Sequence, residues 1–318
     1  MTTVKSNWAP LEWNQFYHTK KYCRLQQTNY TINHCYYTCQ STNNTPDSAE
    51  LTYVLLHGAG QTSLSFACTA AQLYRVTNYN IVAFDCRYHG DTTIQYHDNN
   101  IQSSYDLSID TLVNDTIQVI TNVIPANTPI VLVGHSMGAS IVINTSYQLQ
   151  LQPIQHINIQ GCIIIDLVET AALASIDYIK QSMNNRPTQF QSISGAIEWC
   201  IRSDVVRNIT SACVSIPSQL HYNRTYNKYE WITNLQYTVE YWVEWFTHLS
   251  DRLIQLKCRK LLIVANTDRL DDKVLMIAQM QGKIQVECIR DTTHSIQEDK
   301  PVEVARLLSN FVTRHIQR

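Results

Sequence analysis

The sequence predicts an α/β protein with a mostly parallel central sheet, and three observations predict it. Short apolar runs recur at 52–56, 80–85, 130–134, 161–166, 260–265 and 284–289. Helix-length stretches lie between or after them, at 64–75, 106–123, 137–150 and 301–315. Only eight glycines occur in 318 residues, and most of them cluster in tight segments that directly follow apolar runs. Short apolar runs bounded by turns suit strands buried on both faces, and their alternation with helices implies right-handed parallel crossovers.

The elements follow in order. Residues 1–21 read as a loose arm anchored by Trp8 and Trp13, 22–40 as a hairpin, and Ser41–Glu50 as a polar connector. Pro301 suits the first position of the last helix, with Val302, Ala305, Leu308 and Val312 on one face. Residues 167–250 interrupt the rhythm with a long, aromatic-rich stretch, expected to be a helical cap inserted between two strands. The expected division is therefore a core of 1–166 and 251–318 around a cap of 167–250.

Composition narrows the function. Lys plus Arg number 24 and Asp plus Glu 26, a net charge of −2, which argues against a nucleic-acid or acidic-membrane partner. No apolar run approaches the ~18 residues of a membrane span, and the first residues carry no signal-like apolar stretch. The ten cysteines then read as reduced thiols, and the expected location is the cytoplasm, with the nucleus also open to the protein. Cys35 and Cys39, with His34 beside them, lack the second pair a metal site would need, so no metal is expected.

The chemistry is concentrated at the glycines. Gly134-His135-Ser136-Met137-Gly138 matches the G-x-S-x-G elbow, follows the buried run Ile130–Val133 and opens a helix. Such a turn lifts a serine hydroxyl above the sheet at a helix N-terminus, where developing negative charge is favoured. Upstream, His57-Gly58-Ala59-Gly60 ends a strand as an HGGG-type loop does. The oxyanion donors are then the N–H groups of Ala59, with Gly60 as the alternative in the loop, and of Met137. The base is expected late in the chain, and His294 lies in a loop between the last strand and the last helix. His248 falls in a helical pattern and His315 in the tail, while His57, His89 and His135 read as structural. For the acid, Asp166 and Asp268 both follow strands, and position alone slightly favours Asp268. Asp85 reads as a structural carboxylate serving turn N–H groups, with Arg87 nearby.

These segments resemble those of the protein phosphatase methylesterases, a family of the α/β-hydrolase fold. The resemblance rests on Leu55–Gly60, Ile81–Gly90 and Gly134–Gly138, and on Ala196-Ile197-Glu198-Trp199 and Arg207-Asn208. Asp268-Arg269-Leu270-Asp271 and Gln279-Met280-Gln281-Gly282-Lys283 complete it. It implies demethylation of the C-terminal leucine methyl ester of the type 2A protein phosphatase catalytic subunit, whose tail would be the partner. It also implies a serine esterase without cofactor, and it assigns the triad acid to Asp166 rather than Asp268, giving Ser136, Asp166 and His294. Two departures stand out: Ala59 replaces a glycine of the loop, and the region near Ser218–Lys228 is short and nearly uncharged where relatives carry an acidic insertion. Competing readings are a small-molecule esterase or lipase on the same scaffold, and a catalytically weak regulator that binds the phosphatase. In the cap, Leu235, Val239, Trp242, Phe246 and Leu249 form a core-facing stripe, which leaves Tyr241 and Trp245 to touch a peptide tail.

Overall fold

The computed structural model describes residues 8–42, 50–98, 105–266 and 272–317. The chain begins with an antiparallel hairpin, β1 (Thr19–Gln26) and β2 (Tyr30–Cys39), followed by β3 (Thr52–Leu56), α1 (Ala67–Thr77), β4 (Asn80–Phe84) and β5 (Thr93–Tyr96). Next come α2 (Ile109–Val123), β6 (Pro129–His135), α3 (Met137–Leu151) and β7 (Asn158–Ile165). The following segment holds α4 (Glu169–Met183), β8 (Gln189–Phe190), α5 (Ile193–Arg202), α6 (Ile209–Ser215), β9 (Leu220–Asn223), β10 (Lys228–Trp231) and α7 (Trp242–Phe246). The chain closes with α8 (Leu249–Gln255), β11 (Arg259–Val264), α9 (Lys273–Met280), β12 (Gln285–Cys288), α10 (Ile296–Asp299) and α11 (Pro301–His315).

Among the described residues the main sheet runs β1-β2-β4-β3-β6-β7-β11-β12, with β5 paired to β2. From β4 to β12 the pairings are parallel, and β2 joins them antiparallel. The central strands are buried on both faces, and their side chains alternate between two cores. Val54 and Leu56 of β3, with Leu132 of β6 and Ile164 of β7, point into a core shared with α2, α3 and α8. Tyr53, Leu55, Val133 and Ile165 point the other way, onto α1 and α11. This period of two is the direct consequence of strand geometry. Val304, Ala305, Leu308 and Val312 of α11 are buried in that second core, whereas Val302 is exposed.

Several details differ from the sequence expectation. The arm ends earlier than residue 21, because Thr19 already pairs with Thr38. Trp13 packs edge-on against Tyr37, at 5.7 Å between ring centroids. Residues 167–250 are not helical throughout: β8, β10 and β9 form a small antiparallel sheet around Phe190 and Leu220. The stretch 235–249 is not one helix either. A 3₁₀ turn at Leu235–Tyr241 leads into α7, Thr247 is extended, and His248 takes the left-handed conformation (φ 66°) before α8 starts. His248 therefore lies between helices, and the boundary drawn at 250 falls inside α8.

Arg87 does not serve Asp85. Its guanidinium makes a buried two-pronged bond to Asp115, at 2.7 and 2.9 Å. Asp85 instead accepts from the Ser63 N–H (2.8 Å) and hydroxyl (2.5 Å) and from the Asp91 N–H (3.0 Å). No described helix is long and apolar enough to cross a membrane.

Candidate active site

The site is assembled at the carboxyl ends of adjacent parallel strands, where open α/β sheets bind their ligands. The register pairs Leu56 with Gly134, His135 with Ile165, and Ile165 with Ile263. The residues that follow these ends are therefore neighbours: the His57 loop, Ser136, Asp166 and the stretch beginning at Val264.

Ser136 joins β6 to α3 with φ 52° and ψ −118°, a conformation that side-chain-bearing residues rarely hold. The flanking glycines make the turn possible. A Cβ on Gly134 would lie 2.2 Å from the Gly138 carbonyl oxygen, and one on Gly138 would lie 2.2 Å from that of Leu56. Helix α3 thus starts against the end of β3, and Ser136 is half-buried in an otherwise buried elbow.

Asp166 follows β7, also with positive φ (51°), its N–H bonded to the Ile263 carbonyl at 2.7 Å. Its Oδ1 accepts from the Ala265 N–H at 3.0 Å. Its Oδ2 lies 2.7 Å from His294 Nδ1, which donates to it. The carboxylate is completely buried while the imidazole side chain is 48% exposed, so the histidine is held from behind and reaches outward. Fixing Nδ1 as the donor leaves Nε2 as the basic nitrogen.

The His57 loop is fixed by two buried neutral histidines. His57 accepts the Cys86 N–H at Nε2 (3.0 Å) and donates from Nδ1 to the Gly58 carbonyl (2.8 Å). His89 accepts the Gly60 N–H at Nε2 (3.0 Å) and donates to the Arg87 carbonyl (2.8 Å). Burial pushes His57 well below the usual histidine range, helped by His89, and burial pushes His89 down to about 4. The Gly58 N–H is taken by Gln61 Oε1 at 3.2 Å. Ala59 lies between two N–H groups that are already engaged. Met137, as first residue of α3, has an N–H that precedes the helix's own hydrogen-bond ladder.

Residues 53–307 match the alpha/beta hydrolase family. Protein phosphatase methylesterase 1 of Schizosaccharomyces pombe is 37% identical over 275 residues, covering 85% of this chain and 76% of the relative. The chain belongs to the protein phosphatase methylesterase family. Protein phosphatase methylesterase 1 of Aspergillus oryzae is 34% identical over 319 residues, covering 96% of this chain and 71% of the relative. Family and fold together make this chain a carboxylic ester hydrolase. Among solved structures, E-2-(acetamidomethylene)succinate hydrolase superposes with a TM-score of 0.70 at 14% identity, covering 93% of this chain and 100% of that one. The thioesterase domain from the curacin biosynthetic pathway gives 0.62 at 15%, covering 92% of this chain and 99% of that one. At that identity the likeness concerns the fold.

Two residues of this methylesterase-family site escaped the sequence reading. Gln61 Oε1 faces His135 Nδ1 at 2.9 Å, and its Nε2 donates to Ser295 Oγ and Glu298 Oε2, both at 3.1 Å. His135 Nε2 in turn donates to the His294 carbonyl at 2.8 Å. Glu298 is 1% exposed and accepts from Ser215 at 2.5 Å. Burial raises it to about 8; the Ser215 bond pulls it back and Asp299 adds to the rise. One amide thus connects the elbow, the His57 loop and the His294 loop. Gln61 carried a weak signal by following the glycine loop, whereas nothing in the sequence marks Glu298.

Other expectations change. Trp245 is wholly buried, with its indole N–H donated to the Leu107 carbonyl at 2.8 Å, so it cannot touch a peptide. Tyr241 is half-buried and donates its hydroxyl to the Tyr105 carbonyl at 2.7 Å. Cys35 and Cys39 point into one core while His34 points into the other, toward Phe84. The group most like a metal cluster among the described residues is Cys35, Asp85 and Asp91. There Lys20 occupies Asp91 at 2.6 Å and burial keeps the Cys35 thiol protonated. Asp268 lies outside the described residues.

Proposed function

We propose that this chain removes the methyl group from the esterified C-terminal leucine of the type 2A protein phosphatase catalytic subunit. The reading is carried by one observation: His294 bonded to the buried Asp166, beside a serine held in a strained elbow. Ser136 is the nucleophile, and His294 takes its proton as the oxygen attacks the ester carbonyl. Asp166 holds the imidazole in the required tautomer and stabilises its charged form. The Ala59 and Met137 N–H groups receive the oxyanion. Methanol leaves, protonated by His294, and water then releases the free carboxylate through the same base. This chemistry calls on no metal or organic cofactor.

Residues 167–250, reached directly after Asp166, act as the cap that selects the substrate. The name carried by the relatives supports a phosphatase as that substrate. The ten free thiols support a reducing compartment, cytoplasm or nucleus. The test is mass spectrometry of a methylated phosphatase tail peptide incubated with the protein, where loss of one methyl group is expected. Hydrolysis of a simple chromogenic ester without any action on the peptide would make it a small-molecule esterase. Binding of the phosphatase with neither activity would make it a regulator.

A further inference from the structure

Between the end of α4 and the 3₁₀ turn at Leu235–Tyr241 lies a cavity of about 340 Å³. Arg186 lines it, with its guanidinium carbon 3.7 Å from the centroid of the Trp231 ring. That ring is fixed, because its N–H donates to the Pro187 carbonyl at 2.7 Å. Among the described residues no carboxylate lies within ion-pair distance of Arg186. The acid in the same wall, Glu230, is already occupied by Gln189 at 2.7 Å and Asn223 at 2.9 Å. Burial without a counter-charge lowers Arg186 to about 10, so the guanidinium remains charged at neutral pH. A half-buried cation stacked on an indole, facing an open cavity and lacking a carboxylate partner among the described residues, is arranged to receive a planar anion.

The cavity adjoins the His57 loop. Leu235 lines it and also packs on the His57 loop, where a Cβ on Gly60 would lie 2.8 Å from Leu235 Cδ2. Thr233 fastens the same stretch to the Tyr88 carbonyl at 2.8 Å. One side chain therefore separates the cavity from the loop that carries the proposed Ala59 donor.

We propose that this cavity binds an acidic side chain of the substrate tail, upstream of the esterified residue, through Arg186 with the Trp231 face as its support. The inference rests on the peptide-esterase reading above. A single cation beside an acid suits one carboxylate and disfavours a doubly charged phosphate, which Glu230 would repel.

The test uses C-terminally methylated peptides in pairs, with Asp or Asn at each of the four positions before the last residue, and a chromogenic ester as control. In the wild-type protein one position should favour Asp over Asn by on the order of tenfold in kcat/KM, carried by KM. Arg186→Gln should abolish that preference and leave the chromogenic ester unchanged, which also shows that the variant is folded. Arg186→Lys, which keeps the charge without the planar stack, should retain part of it. Peptides cleaved with no acidic preference at any position, or a preference that survives Arg186→Gln, would overturn the subsite while leaving the esterase reading intact. Cleavage of the chromogenic ester but of no peptide would overturn both.

Discussion

The carboxyl edge of the sheet and the segment 167–250 are built on opposite terms. At the edge, backbone is forced into place. Ser136 and Asp166 hold positive φ, helix α3 begins within touching distance of β3, and buried polar groups close on one another through His57, His89, Gln61 and Glu298. In the segment, strands are two to four residues long, and Tyr178, Tyr222, Tyr226, Tyr237 and Val243 lie exposed. The edge is rigid where reacting atoms must be positioned to a fraction of an ångström. The segment keeps an open cavity lined by Arg186, which has no carboxylate partner among the described residues, and there the proposal above places recognition of the substrate tail. The same division separates what a substitution should do in each region: lost chemistry at the edge, lost stability or selectivity in the segment.

The largest break should come at the edge. Ser136→Ala is expected to lower ester hydrolysis by on the order of 10⁶, or about 8 kcal/mol of transition-state stabilisation, with an unchanged thermal melt. Retention of a tenth of the activity in a preparation free of other esterases would remove Ser136 from the nucleophile role.

Asp166→Asn should cost about 10⁴ in rate, near 5.5 kcal/mol, because the amide favours the wrong imidazole tautomer. The same change at Asp268 should cost far less. Equal losses in steady-state rates would return the acid to Asp268.

Trp245→Ala sharpens the comparison from the other side. Trp245 is 0% exposed and bonded to Leu107, so truncation should cost about 3–5 kcal/mol of stability by denaturant titration. Peptide kcat/KM per folded molecule should change little. A variant of normal stability that loses only peptide turnover would restore Trp245 as a substrate contact.

The smallest effect is a pH dependence. Burial raises Glu298 from an ordinary carboxyl to about 8 in the folded protein. The folded state then holds a proton that the unfolded state releases near pH 4.5, so the benefit is complete below pH ~4.5. That contribution is lost as pH rises through about 8. Glu298→Gln mimics the neutral acid and should flatten the curve, gaining on the order of 3 kcal/mol on the wild type between pH 5 and 8. Parallel stability curves would show that Glu298 is ionised in the folded protein throughout that range.

Much of the edge was legible in the sequence because its signals are local. Runs buried on both faces are apolar at every position, so β3, β4, β6, β7 and β11 stand out. Gly134 and Gly138 report steric contacts that no other residue tolerates, and they mark Ser136 from five residues. The segment was harder to read. Lys228–Trp231 is half-buried throughout and Leu220–Asn223 is largely exposed after Leu220, and they become strands through the pairing of Tyr229 with Tyr222. The apparent helix over 235–249 fails at His248, because Glu169 accepts the His248 N–H and the Ser250 N–H, each at 2.8 Å, and turns the chain there.

The sequence by itself determined the alternation of strand and helix, the elbow with Ser136, the glycine loop before Ala59, and a late histidine at the sheet's edge. These depend on sterics and periodicity acting over a few neighbouring residues. Position in the sequence slightly favoured Asp268 as the acid and the family resemblance chose Asp166; only the tertiary structure decided why Arg87 turns to Asp115, that Trp245 faces inward, and that Gln61 and Glu298 meet although 237 positions separate them. Each of these is a polar or aromatic group seeking a partner in a buried space, and the packing of distant elements determines which partner is within 3 Å.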